Sequence, residues 1–296
     1  MKIRQLTALA AALAVAGFAH ADLVVKDDTG QEVRLKGPAQ RIVALAPHIA
    51  ESVYAAGAGD KLVGTVDYSD YPPAAKKLPR VGGYSRVDLE AVAALRPDLV
   101  LAWESGNNMP QINKLKGLGL TVYVSQPNKM ENVADQLERL GELAGTEAVA
   151  KPAAERFRQK LESLRKANAA KPKVRVFYQI WKTPLMTVGG PQIISDAIKL
   201  CGGDNVFGHL GKMAPTVSVE AVLEADPEAI VATGMGDSKP EWLHDWDKWT
   251  KLTAVKRDNL FHINPDIMQR HTPRILDGAE KLCAHLDVAR SHRPAK

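Results

Sequence analysis

Tyrosine and tryptophan are scarce in this 296-residue chain, at six and five residues, yet several stand where strand-like runs end. Tyr68 and Tyr71 occupy the segment Tyr68-Ser69-Asp70-Tyr71-Pro72-Pro73, and Tyr84 follows Gly82-Gly83. Trp103 closes Leu99-Val100-Leu101-Ala102, and Trp181 closes Phe177-Tyr178-Gln179-Ile180. A ring with an apolar face and a wet polar edge stacks on a large flat ligand. In open α/β sheets ligands bind beyond the carboxyl ends of the strands. Any one of these rings alone is as readily explained by packing under its loop; Tyr68, Tyr84, Trp103 and Trp181 together read as the lining of a cleft. The chemistry they suit is recognition, with no bond made or broken.

Motifs for catalysis are missing. The chain has no G-x-x-x-x-G-K-[ST], no G-x-S-x-G and no H-E-x-x-H. Its eight histidines are dispersed, and His48, His209 and His271 would make a metal centre only by converging in three dimensions. A secreted metal-dependent hydrolase needs His and carboxylate ligands with one open position, and no such set is spaced for it. The expectation is therefore a binding protein with no catalytic residue, no metal site and no cofactor of its own.

The elements that carry the aromatics come in duplicate. Val87-Asp88-Leu89-Glu90-Ala91-Val92 runs through Pro97-Asp98 into the strand ending at Trp103. Val217-Ser218-Val219-Glu220-Ala221-Val222 runs through Pro227-Glu228 into Ala229-Ile230-Val231-Ala232. Each copy offers Asp or Ser as a helix N-cap, a short helix, a Pro-acid turn and an apolar strand. A second echo pairs Gly57-Ala58-Gly59-Asp60 with Cys201-Gly202-Gly203-Asp204. Two ordered echoes predict an α/β protein of two Rossmann-like lobes with parallel sheets and a cleft between them.

Four segments follow. Residues 1–21 read as a signal peptide: Lys2 and Arg4, an apolar stretch from Leu6 to Gly17, then Ala19-His20-Ala21. This predicts a soluble periplasmic or secreted protein after cleavage near Ala21. Residues 22–147 form the first lobe, opening with a hairpin from Leu23 to Leu35 that turns at Asp28-Thr29-Gly30. Strands are expected at 42–45, 62–64 and 118–124. A helical stretch from Asn132 is split by Gly141 and Gly145, with Pro152 in the first turn of its second half. Residues 148–170 form one continuous connecting helix, and 171–296 the second lobe.

The formal charge of +5 falls to +3 without Lys2 and Arg4, too mild and too scattered to argue for nucleic acid. Cys201 and Cys283 are the two cysteines. In an exported chain an even pair reads as a disulfide, in a cytosolic one as buried thiols.

Four segments together carry a resemblance: Tyr68-Ser69-Asp70-Tyr71-Pro72-Pro73, Ala102-Trp103-x-x-Gly106-Asn107, Cys201-Gly202-Gly203-x-Asn205-x-Phe207 and Asp266-x-x-x-Arg270-x-x-Pro273-Arg274. They resemble, in order and over nearly the whole mature chain, the periplasmic cobalamin-binding proteins of ABC importers, which have the class III binding-protein fold. The resemblance implies that cobalamin or another corrinoid is the transported ligand and an inner-membrane permease the partner of a monomer. It implies that Tyr68, Tyr84, Trp103 and Asn107 serve the first-lobe side of the ligand, and Asp266, Gln269 and Arg270 a polar rim on the second. The family's tryptophan is replaced by Ala214, a loss that Trp181 or Met213 would offset. It further implies that Glu90 and Glu220 dock the two lobes on the permease, although the helix dipole alone favours Glu in a first turn. Both cysteines fall where the family places its pair. The segment Trp242 to Trp249 has no counterpart and no role by this reading. A haem-binding relative, suggested by Val81-Gly82-Gly83-Tyr84-Ser85-Arg86, and a siderophore receptor are the alternatives on the same fold.

Overall fold

The computed structural model describes residues 22–234 and 240–294, so the expected leader lies outside the described residues. Leu23–Lys26 (β1) and Glu32–Leu35 (β2) pair as the expected hairpin. The Asp27 carboxylate fixes its turn by accepting from the Thr29 and Gln31 backbone N–H groups, both at 2.9 Å.

The first lobe then alternates strand and helix. Ile42–Ala44 (β3), Pro47–Ala55 (α1) and Leu62–Thr65 (β4) lead to a two-residue ribbon of Gly82–Gly83 (β5) and Arg86–Val87 (β6). Leu89–Ala94 (α2), Leu99–Trp103 (β7), Met109–Gly117 (α3) and Val122–Ser125 (β8) follow. The sheet is parallel in the order β4-β3-β7-β8. The expected strand from Leu118 starts later, at Val122, because Leu118 caps α3 and Gly119 turns the chain at a φ of 83°.

Met130–Ala144 (α4) and Glu147–Asn168 (α5) are the long helices. Two expectations about them are corrected. Gly141 does not break α4; it lets α5 approach, since a Cβ there would sit 2.3 Å from the Ala150 methyl. Gly145 does end α4, in the left-handed conformation. Because α5 begins at Glu147, Pro152 lies inside the helix and not in its first turn.

The second lobe repeats the alternation with Val174–Trp181 (β9), Met186–Thr187 (β10), Ile193–Leu200 (α6), Gly203–Asn205 (β11), Val219–Ala225 (α7) and Ala229–Ala232 (β12). Thr253–Lys256 (α8), Leu260–His262 (β13), Pro265–Met268 (α9) and Ile275–Ser291 (α10) complete it. Strands β9, β12 and β13 are parallel, with β11 beside the start of β9 and the antiparallel β10 beside its end. A disulfide joins Cys201, just after α6, to Cys283 in α10, across 82 positions of sequence. The protein is thus two parallel α/β lobes joined by a long helix.

The duplicated sequence is duplicated in atoms. Asp88 caps α2 by accepting from Ala91 N–H at 3.0 Å, and Ser218 caps α7 by accepting from Ala221 N–H at 3.1 Å. Behind each helix an arginine donates to its last carbonyls: Arg41 to Leu95 at 2.7 Å, and Arg175 to Ala225. The outer sheet faces pack in separate clusters, around Val43 and Val100 in one lobe and Phe177 and Ile230 in the other. The inner side is shared. Residues of α1, α4, α5, α6 and α10 form one continuous apolar core across both lobes.

Trp242 to Trp249 now has a place. Glu241–Trp246 is a 3-10 turn whose Trp246 Nε1–H donates to Gln179 Oε1 at 2.8 Å and whose ring meets Phe177 edge-on at 5.7 Å. The segment is a cover over the outer face of the second sheet.

Candidate functional site

Each site residue stands where its strand delivers it, beyond the carboxyl edge of a sheet. In the first lobe β3 hands the chain to α1 and His48, β4 leads to Tyr68, and β7 ends on Trp103. The motif Trp103-x-x-Gly106-Asn107 has a physical cause. A Cβ on Gly106 would lie 1.9 Å from the Trp103 ring, so only glycine lets the indole lie flat on its own loop. Asn107 latches the arrangement: its Oδ1 accepts from Trp103 N–H at 2.6 Å, and its Nδ2 donates to Tyr84 O at 2.6 Å and Leu45 O at 2.8 Å. Both of its side-chain polar atoms are engaged within the protein, so Asn107 positions the two aromatic loops.

The ring set is continuous. Tyr84 and Trp103 lie 5.9 Å apart, His48 meets Trp103 edge-on at 4.9 Å, and His271 of the second lobe is 5.3 Å from His48 and 6.1 Å from Trp103. Tyr68, at a φ of 63°, and Tyr84 are exposed at 74% and 42%. Trp181 is also exposed at the end of β9, but stands apart from this set. Met213 is half-buried with its Sδ 3.6 Å from Gln126 Nε2 across the lobes, while Ala214 is exposed.

The polar rim lies in and after α9. Asp266 pairs with Arg270 at 2.9 Å, and Gln269 Nε2 donates to Thr233 Oγ1 at 2.5 Å. Arg270 also crosses to the first lobe, reaching Asp70 at 2.7 Å and the Tyr68 carbonyl at 3.3 Å. Partial burial would raise the Asp70 carboxyl, but the Arg270 hydrogen bond and charge outweigh it and hold it below the usual range. A second crossing is deeper. Glu51, 3% exposed, takes a two-pronged bond from Arg274 at 2.6 and 2.7 Å and a third from Thr272 Oγ1 at 2.7 Å. The Arg274 guanidinium in turn stacks 3.7 Å over the Tyr71 ring.

His48 and His271 are 4% and 2% exposed. Burial, the neighbouring His271 and Arg270 lower the His48 pKa well below its ordinary value. Burial alone takes His271 to about 4. Both imidazoles are therefore neutral at pH 7. His209 does not join them; it lies in the wall of a separate cavity of about 800 Å³ with Lys129 and Lys199. Among the described residues there is no group of three or more His, Cys, Asp or Glu arranged to hold a metal ion. Glu90 and Glu220 sit exposed in the first turns of α2 and α7.

Sequence reasoning passed over Glu51 and Thr272. Glu51 had a signal, being a carboxylate among Ile49, Ala50 and Val53 in an otherwise apolar helix. Its partner is 223 residues away, and nothing local announces it.

Two lobes of parallel sheet, a helix between them, and aromatic and charged side chains that meet across the lobes at the strand ends define the architecture of a two-lobed binding protein. The chain belongs to the periplasmic binding protein family, whose model matches residues 42–267. It is similar to the vitamin B12-binding protein of Vibrio cholerae serotype O1, with 39% identity over 253 residues, or 85% of this chain and 91% of that one. The vitamin B12-binding protein of Yersinia pestis is 35% identical over 86% of this chain and 90% of its own. The crystal structure of the periplasmic vitamin B12-binding protein of Vibrio cholerae superposes with a TM-score of 0.79 at 38% identity, covering 86% of this chain and 98% of that one. A periplasmic haem-binding protein from Pseudomonas aeruginosa superposes with a TM-score of 0.73 at 26% identity, over 87% of this chain and 95% of its own.

Proposed function

We propose that this protein captures cobalamin or a related corrinoid in the interlobe cleft and delivers it to an ABC transporter permease in the inner membrane. The observation that carries the reading is the paired rim and ring set: exposed Tyr68 and Tyr84 with Trp103 on one lobe, Asp266, Gln269 and Arg270 on the other. Rings offer the flat face that a corrin macrocycle stacks on, and the polar rim suits the amides around its edge. Relatives at 35 and 39% identity bear the name vitamin B12-binding protein, which supports the same cargo here. By this reading residues 1–21 are the signal peptide removed near Ala21, residues 22–147 and 171–296 the two lobes and 148–170 the connector of a soluble periplasmic monomer. Trp181 would extend the second-lobe wall in place of the ring missing at Ala214.

Glu90 and Glu220 are the proposed docking charges. They occupy equivalent positions on the two lobes and form no ion pair among the described residues, an arrangement suited to a two-fold partner. Calorimetric titration with cyanocobalamin, haemin and a ferric siderophore tests the cargo; saturable binding of the corrinoid alone is expected, and preference for haemin would overturn the reading. Glu90→Ala and Glu220→Ala should keep cobalamin affinity and reduce uptake into permease-bearing vesicles, further in the double variant. High salt should mimic that loss, since exposed pairs are screened over about 10 Å at 0.1 M.

A further inference from the structure

The duplicated sequence sets Thr233 where the first lobe has Trp103. Leu99-Val100-Leu101-Ala102-Trp103 corresponds to Ala229-Ile230-Val231-Ala232-Thr233, each after a Pro-acid turn. Trp103 ends β7 and Thr233 directly follows β12, both at the carboxyl edge of a parallel sheet. Trp103 supplies a ring to the first wall. Thr233 is 1% exposed, so any part it has in binding passes through a neighbour. A buried hydroxyl at the edge of a sheet is explained by its hydrogen bonds.

Those bonds point to one side chain. Thr233 N–H donates to Gln179 O at 3.0 Å, which extends the β9–β12 ladder and fixes the residue. Its hydroxyl donates to the same carbonyl at 3.4 Å and keeps a lone pair for Gln269 Nε2–H, at 2.5 Å. The neighbouring Tyr178 hydroxyl makes no hydrogen bond. Gln269 is half-buried, and Thr233 Oγ1 is its side chain's one hydrogen-bond partner among the described residues. Glutamine is rotamer-rich, and ordering such a side chain at the moment of binding costs affinity.

Resting on the corrinoid reading above, in which Gln269 touches the cargo, we infer that Thr233 is a positioning residue for corrinoid binding. It holds the Gln269 amide nitrogen inside the protein and leaves Oε1 in the rim as an acceptor for N–H groups on the cargo's peripheral amides. Asn107 sets the first-lobe rings by gripping main-chain atoms; Thr233 sets the second-lobe rim with one hydroxyl. Preordering the amide lowers the cost of binding, so loss of the hydroxyl weakens affinity only while Gln269 is present.

The test is calorimetric titration of the mature protein with cyanocobalamin. Thr233→Val keeps the shape of threonine and deletes the hydroxyl; it is expected to weaken binding about fivefold. Thr233→Ser restores the hydroxyl and should recover the affinity to within about twofold of wild type. In a Gln269→Ala background Thr233→Val should change affinity by less than about twofold, because no amide is left to position. An equal loss in both backgrounds would assign Thr233 to the fold at large and overturn the proposal, as would no loss in either. A crystal structure of wild type with cyanocobalamin decides the matter even if a variant does not fold. Gln269 Nε2 should remain on Thr233 Oγ1 with Oε1 toward a corrinoid amide, and an amide that has left Thr233 overturns the role while corrinoid capture stands. If wild type does not bind cyanocobalamin, capture itself fails and the positioning role with it.

Discussion

The two lobes share a framework and divide the labour. Both cap a short helix with Asp88 or Ser218, and both lead through Pro and an acid into a buried strand. Beyond the strands they differ. The first lobe presents rings, Tyr68 together with the Tyr84 and Trp103 loops that the Gly106–Asn107 latch sets. The second presents charge and hydrogen bonds from Asp266, Gln269, Arg270, Thr272 and Arg274. Duplication therefore preserved what makes a lobe fold and left the loops at the strand ends to specialise. A large cargo with a flat centre and a polar edge matches that split better than two identical walls would.

The second lobe also holds the protein's disulfide, and removing it is the largest change predicted. Closing a loop of 82 residues is worth roughly 4–5 kcal/mol in the chain-entropy model. Cys201→Ser with Cys283→Ser should lower the unfolding free energy on that scale in a urea titration under non-reducing conditions. Cobalamin affinity below the unfolding transition should be unchanged, because neither cysteine touches the rings or the rim. A loss of only a few tenths of a kcal/mol would show that the two lobes are equally robust without a staple.

The division into ring wall and polar wall is broken most directly at Trp103. Trp103→Ala should weaken cobalamin binding by about 1–3 kcal/mol, the scale of one stacking surface, with the far-ultraviolet circular dichroism unchanged. Trp181→Ala should cost less than about 1 kcal/mol, since that ring is 47% exposed and outside the touching set. Equal effects in a calorimetric titration would make the second lobe a ring wall as well. Tyr84→Phe sharpens the cargo assignment, being mild for stacking and severe if the phenol were an iron ligand.

Acid provides the most diagnostic effect. His48 and His271 have folded pKa values below their unfolded value, with His271 near 4. Between about pH 6.5 and 4 the unfolded chain thus binds more protons than the folded one, and stability falls as pH falls through that window. Each pKa unit corresponds to about 1.4 kcal/mol. Arg270 opposes protonation of His48, whereas the nearby Glu51 is already engaged by Arg274. Urea midpoints at pH 7 and pH 5 should differ for wild type, and differ less for the His48→Ala, His271→Ala double variant. His285, also lowered by burial, leaves a residual slope.

The frame was legible because its signals are local. An N-cap, a Pro-acid turn and an apolar run lie within fifteen residues of each other, and both copies fold as read. Gly141 and Pro152 misled because helix propensity says nothing of a neighbouring helix: Gly141 is there for Ala150, and α5 begins early enough to enclose Pro152. In the site, the exposed aromatics could be read from their places at strand ends. The Glu51–Arg274 and His48–His271 encounters could not, being between residues more than two hundred apart whose meeting depends on how the lobes face each other.

Arg270 and Arg274 have a consequence for how the receptor answers to scarcity. The guanidinium proposed to grip the cargo already grips Asp70, and a few residues on Arg274 clasps Glu51. The first lobe thus behaves as a tethered competitor for the second lobe's own rim. On the proposed reading, cargo would enter only in the fraction of molecules whose clasp has parted, and the apparent dissociation constant would be the intrinsic one divided by that fraction. Loosening the clasp would then sharpen affinity and leave the unloaded receptor less distinct from the loaded one.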